Sequence, residues 1–132
     1  MIKKIAVSTQ SRTELLDITS MITDVIRESK VKSGVCYIFV PHTTAGIMIN
    51  ENADPSVKKD LLNSLERLVP FDGEYAHAEG NAAAHIRSAI LGTDMTVFVE
   101  DGELKLGTWQ GIFFCEFDGP RQRCVFIKII EK

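Results

Sequence analysis

The chain has 132 residues, 15 Lys and Arg against 18 Asp and Glu, and a formal net charge of −3. With 45% hydrophobic and 25% charged residues it has the composition of a soluble globular protein, not of a disordered, collagen-like or coiled-coil chain. The length suits one domain, residues 1–132, and the mildly acidic balance argues against a protein built around nucleic-acid phosphates.

The longest apolar run, Val35 to Pro41, is far short of the roughly 20 residues that a membrane-spanning helix needs, so no membrane partner is expected. Ile5 to Val7 is too short for a signal-peptide core. Cys36, Cys115 and Cys124 are odd in number, show no CxxC spacing and sit in apolar, strand-like runs. They read as reduced core residues of a cytoplasmic protein.

Ile2 to Thr9 reads as a strand. Ile18, Ile22, Val25 and Ile26 recur at helical spacing, which predicts an amphipathic helix from Thr19 to about Lys30, with Gly34 as its stop. Val35 to Val40 is a buried strand, and Gly46 to Asn50 looks like its partner across the turn at Pro41–Ala45. Asp54-Pro55 opens a second helix, because an Asp cap precedes a proline whose missing N–H costs nothing at the first helical position. That helix should run to about Leu68, followed by a polar loop from Phe71 to Glu79. Asn81 can cap a third helix, through the alanines to Leu91, with Gly92 closing it. The remainder is strand: Met95–Glu100, Glu103–Leu106, Gln110–Phe117 and Gln122–Ile130. Turns at Asp101-Gly102 and Asp118-Gly119-Pro120 separate them, and Asp-Gly between apolar runs is a strong hairpin signal. About seven strands and three helices, with the strands grouped, define an α+β class with a mainly antiparallel sheet or sandwich.

The three histidines, His42, His77 and His85, fall in or beside polar connecting segments. Three imidazoles with an open position make a catalytic zinc pattern; the alternative is three unrelated histidines, hydrogen-bonded, solvated or packed on a helix. The gap between His77 and His85 is not the i, i+4 spacing of a helix-borne zinc motif. Asn50-Glu51-Asn52-Ala53-Asp54 reads as helix capping, or as a source of a group, Glu51 or Asn50, that orients the histidines. Glu79-Gly80-Asn81 opens a helix whose N–H groups can hold an anion. Trp109, the only Trp, closes a core, walls a pocket or contacts another subunit. Arg121 and Arg123 would share one strand face, as a solvated pair or as a clamp for phosphate or carboxylate.

At these residues the sequence resembles the YjbQ-like proteins, a widespread group often labelled secondary thiamine-phosphate synthases. The likeness spans essentially the whole chain. It is carried by His42-Thr43-Thr44-Ala45, Asn50 to Asp54, His77, Gly80, Ala84-His85, Ser88, Leu91-Gly92, Leu106 to Ile112, Glu116 and the Arg121 region. The resemblance implies an α+β fold with a two-layer β-sandwich, a homotrimer, and a pocket holding the three histidines, where a metal or an anion is expected. The activity attached to the group joins a hydroxymethylpyrimidine diphosphate to a thiazole phosphate, giving thiamine phosphate and pyrophosphate.

The residue chemistry qualifies that activity. Pyrophosphate displacement normally uses magnesium on carboxylate and water oxygens, whereas three imidazoles suit zinc or another transition metal. Neither a GxxxxGK[ST] loop nor an Asp-rich diphosphate motif is present. Two other readings therefore stand beside the synthase. One is a metal-dependent hydrolase of a phosphate or acyl ester, and the other a non-catalytic trimer that binds a phosphorylated metabolite. The candidate site comprises His42, His77 and His85 as metal ligands, Glu116 and Glu51 as catalytic groups, and Gly80, Asn81, Arg121, Trp109 and Thr43 as substrate-binding residues. Within it, the helix opened by Gly80-Asn81 and the Arg121 guanidinium should hold a substrate phosphate, with Arg87 the competing cation, inside its helix and solvated. Glu116 should act as general base or orient a histidine, with a buried salt bridge to Arg121 as the structural option.

Overall fold

The computed structural model describes residues 1–132. In chain order the elements are β1 (Lys3–Ser8), β2 (Glu14–Asp17), α1 (Thr19–Ser29), β3 (Ser33–Phe39), β4 (Ala45–Glu51), α2 (Pro55–Leu68), α3 (Ala82–Leu91), β5 (Asp94–Glu100), β6 (Glu103–Leu104), β7 (Gln110–Glu116) and β8 (Gln122–Glu131). The strands form a five-stranded sheet in the order β1-β8-β3-β5-β6 and a three-stranded sheet in the order β2-β7-β4, every pairing antiparallel. The inner faces meet in a core that includes Ile22, Ile38, Ile47, Val97, Phe114 and Ile127. The other face of the small sheet packs with α2 and α3 through Leu15, Phe113, Phe117, Leu65 and Ala84. β7 is thus buried on both faces, which is why Ile112 to Cys115 is apolar without alternation. The α+β sandwich expected from the sequence is the fold observed.

Several local expectations change. Gly46 to Asn50 lies in a strand, but β4 pairs with β7 in the other sheet, and β3 pairs with β5 and β8. Pro41–Ala45 therefore joins two sheets and does not close a hairpin. The two Asp-Gly turns also differ. Asp101 and Gly102, both at positive φ (54° and 77°), close the β5–β6 hairpin, whereas Asp118-Gly119-Pro120 carries the chain from one sheet to the other. Helix α1 ends at Lys30, whose left-handed φ of 62° supplies the stop expected of Gly34. Gly34 lies in β3 instead, where an added Cβ would meet the Ile130 carbonyl oxygen. β2 was unexpected; Glu14–Asp17 is too short and too polar to register as a strand by itself.

These crossings position the cleft described next. The β3–β4 and β7–β8 connections pass at one end of the sandwich, where α3 begins after the Phe71–Glu79 loop. Helix α3 lies against β4, and Ser88 Oγ donates to the Ala45 carbonyl.

Candidate functional site

The cleft is open, has a volume of about 390 Å³, and is lined by polar side chains except for Pro41. His42, Thr43 and Thr44 come from the β3–β4 connection, Glu79 and Asn81 from the approach to α3, His85 from its first turn, Asp118 and Arg121 from the β7–β8 connection, and Arg123 from the start of β8. Three segments distant in sequence thus converge, and each was singled out in the sequence.

Arg123 forms the floor, with Glu116 behind it. Glu116 is fully buried, and the Arg123 side chain is 5% exposed. Arg123 Nε donates to Glu116 Oε1 at 2.8 Å, and Nη2 donates to Oε2 and, at 2.8 Å, to Thr44 Oγ1. Thr9 Oγ1 donates to Oε1 at 2.7 Å and the Asp118 amide to Oε2 at 3.0 Å, so each carboxylate oxygen has two donors. Burial by itself would raise the Glu116 carboxyl, but the Arg123 hydrogen bonds, the Asp118 amide, the Thr9 hydroxyl and the Arg123 charge together hold it below its ordinary value. A carboxylate so enclosed serves to orient Arg123. The expected base role has no geometry here, and the salt bridge runs to Arg123, not to Arg121.

Arg121 is half-exposed at the cleft mouth, with Nε donating to the Asp118 carbonyl at 2.8 Å and Nη2 to Asp118 Oδ2 at 3.1 Å. Asn81 stands at the start of α3, but its Nδ2 donates to Asp118 Oδ2 at 2.9 Å and does not cap the helix. Its Oδ1 is buried without a donor. Burial pushes the Asp118 carboxyl up, and Asn81, Arg121 and the Arg123 charge outweigh it to give a net lowering. Gly80 takes a φ of 82° that leads the chain into α3, an arrangement open to glycine. Arg87 is not solvated. It is 1% exposed, pairs with Glu66 Oε2 at 2.6 Å, donates to the Val69 carbonyl and lies over Phe71, so it anchors α3 to α2.

The histidines divide. His42 and His85 both line the cleft, while His77 meets His85 from the outer side, ring centroids 5.1 Å apart and edge to face. His77 Nε2 also lies 3.7 Å from Glu79 Oε2. His42 Nε2 accepts the Cys124 amide N–H at 3.1 Å, so the lone pair a metal would use is occupied. Burial first, then the Arg123 charge, lowers the His42 pKa. No three His, Cys, Asp or Glu side chains are arranged to share an ion. The residues do not fit a three-histidine zinc or magnesium centre within this chain.

Two expected site residues lie elsewhere. Glu51 is at the far end of β4 from Ala45, roughly 20 Å along the strand, beside Asp17, Asp54 and Lys58. Asp54 beside it does cap α2, accepting the Ser56 amide at 2.9 Å. Trp109 is 63% exposed in the β6–β7 connection, closing neither the core nor the cleft. Arg123, expected to be half of a solvated pair or of an anion clamp with Arg121, is instead buried and paired with Glu116.

Fold and cleft together define a class: a small α+β protein whose two antiparallel sheets carry a polar cleft of histidine, threonine and arginine where the connections cross. The family model described as "UPF0047 protein YjbQ-like" matches residues 3–132, and the chain belongs to that family. It is 55% identical over 130 residues to a UPF0047 protein of Methanocaldococcus jannaschii, covering 98% of this chain and 94% of that one. It is 50% identical over 131 residues to the UPF0047 protein YugU of Bacillus subtilis, covering 98% and 99%. Among solved structures, an uncharacterized yjbq/upf0047 family protein of Clostridium acetobutylicum superposes with a TM-score of 0.95 at 48% identity, covering 97% of this chain and 99% of that one. A YbjQ-like protein of unknown function from Sulfolobus solfataricus P2 gives 0.95 at 35% identity, covering 100% and 97%. No helix is long and apolar enough to cross a membrane.

Proposed function

We propose that the protein is an enzyme acting on a phosphorylated small molecule, with the reaction of the thiamine-phosphate synthases it resembles as the first candidate. The supporting observation is the cleft, where Arg121, Arg123, Thr43, Thr44, Asn81, His42 and His85 gather around a mainly polar opening. Such a lining suits the oxygens of a phosphate or diphosphate, because guanidinium, hydroxyl and amide donors match them directionally. Thr43 and Asn81 bind and orient the substrate, Arg121 meets it at the mouth, and Glu116 acts indirectly by fixing Arg123. His85, whose ring makes no hydrogen bond within the chain, is the group placed to move a proton. Binding holds the two reacting molecules together, which by itself lowers the barrier for joining them. The working form is a homotrimer.

The test is incubation of the purified protein with hydroxymethylpyrimidine diphosphate and thiazole phosphate, followed by chromatography. Appearance of thiamine phosphate and stoichiometric pyrophosphate is expected, with loss of both in His85→Ala. Release of inorganic phosphate from either substrate alone would identify a hydrolase. Tight binding with no turnover would identify a non-catalytic binding protein.

A further inference from the structure

We propose that the cleft floor is an oxyanion site made by Arg123 and His42, and that phosphoryl oxygens bind there and not chiefly at Arg121. This rests on the phosphorylated substrate proposed above. Each of the two side chains is locked by a group behind it and keeps one donor unspent.

Arg123 uses Nε and Nη2 on Glu116 and Thr44. Its Nη1 has no partner in the chain and is not sealed from solvent, although the side chain is 95% buried and lines the cleft. Buried polar groups are normally hydrogen-bonded, to protein or to ordered water. Nη1 instead faces a polar cleft, where it can donate to a bound ligand.

His42 follows the same logic. The Cys124 amide can donate only to an unprotonated Nε2, so the neutral ring carries its hydrogen on Nδ1. That nitrogen also has no partner in the chain and is not sealed from solvent. The Arg123 side chain and the Cys124 amide are consecutive on β8, so one strand sets both donors. Helix α3 begins at the same cleft without a side-chain cap, because Asn81 is turned toward Asp118. Arg121 offers less. Its side chain is 53% exposed, so its charge is screened by solvent and fixing it on a ligand would cost rotamer freedom. Donors already held in place bind an anion without that ordering cost.

The experiment titrates pyrophosphate into the full chain at fixed salt, by calorimetry, for wild type, Arg123→Lys, His42→Gln and Arg121→Ala. Lysine keeps a cation against Glu116 while giving up the guanidinium donors, Nη1 among them, and glutamine keeps an acceptor for the Cys124 amide while its own amide N–H2 cannot take the Nδ1 position. Each of these two should weaken pyrophosphate by about 10- to 150-fold, the scale of a hydrogen bond to a charged group. Arg121→Ala should cost about fivefold at most, the scale of an exposed ion pair. Nitrogen-15 NMR of the wild-type His42 ring should find the hydrogen on Nδ1, a readout that no variant's folding can obscure. A hydrogen on Nε2, or a larger loss in Arg121→Ala than in His42→Gln, overturns the proposal and leaves the phosphorylated-substrate reading standing. No pyrophosphate binding by wild type defeats both.

Discussion

Glu116 has no exposed surface and two donors on each carboxylate oxygen. Its folded-state pKa lies below the unfolded value, so its stabilisation is complete above the ordinary carboxylate range and disappears as pH falls through the folded value. Glu116→Gln should cost about 3–5 kcal/mol at neutral pH, because it leaves the Arg123 charge buried without its partner. The variant's loss relative to wild type should then shrink below about pH 4, as wild-type Glu116 takes up its own proton. Denaturant unfolding followed across pH 3–7 measures this; a constant difference across that range would show that the carboxylate is not the source. The same residue shows how far single-residue roles could be read. Glu116 and both arginines were visible as charges near a turn, but charge does not state its partner. The shared face expected for Arg121 and Arg123 fails because β8 begins at Gln122, leaving Arg121 in the turn where strand alternation does not apply.

Elements were legible where their signals are local. Asp54-Pro55 starts α2, Gly92 ends α3 with its N–H on the Ser88 carbonyl, and both features depend on neighbours only a few residues away. Pairing was not legible, because β4 finds β7 from Gln110 to Glu116, far along the chain, and the apolar pattern of β4 would serve either sheet. The histidines sit at this same boundary between local and non-local information. His77 and His85 share the segment around α3 and meet, whereas His42 arrives from another connection and is held by the Cys124 amide. A zinc ion on this chain would therefore have His77 and His85 as its imidazoles. In a zinc titration, any binding should be lost in His85→Ala and in His77→Ala and kept in His42→Gln, because His42 lies outside that pair. Equal loss in all three variants would mean that His42 turns from Cys124 to join the ion.

At the scale of the whole molecule, the two faces of the sandwich differ. Helices α2 and α3 cover the small sheet, but nothing in the chain covers the outer face of the five-stranded sheet. The pairing of β3 with its neighbours places Tyr37, Phe39, Phe98, Phe126, Val35 and Ile130 on that face, with Phe39 directly opposite Phe126 and their ring centroids 6.4 Å apart. Phe98, Tyr37 and Phe39 are 66%, 49% and 46% exposed, although aromatic rings are among the side chains that gain most from leaving water. Monomeric proteins seldom leave such a patch open, so subunit contact is its best physical explanation; the number three comes from the resemblance to the YjbQ-like proteins. Light scattering at micromolar concentration should give a trimeric mass for wild type. Phe98→Glu should shift it toward the monomer, since a carboxylate would have to be buried without a partner in the contact. Phe98 contributes little to its own subunit's core, so the dissociated variant should keep a wild-type far-ultraviolet circular dichroism spectrum. A wild-type monomer would remove the trimer, and a Phe98→Glu trimer would move the contact to another surface, with exposed Trp109 and Ile90 the next places to examine.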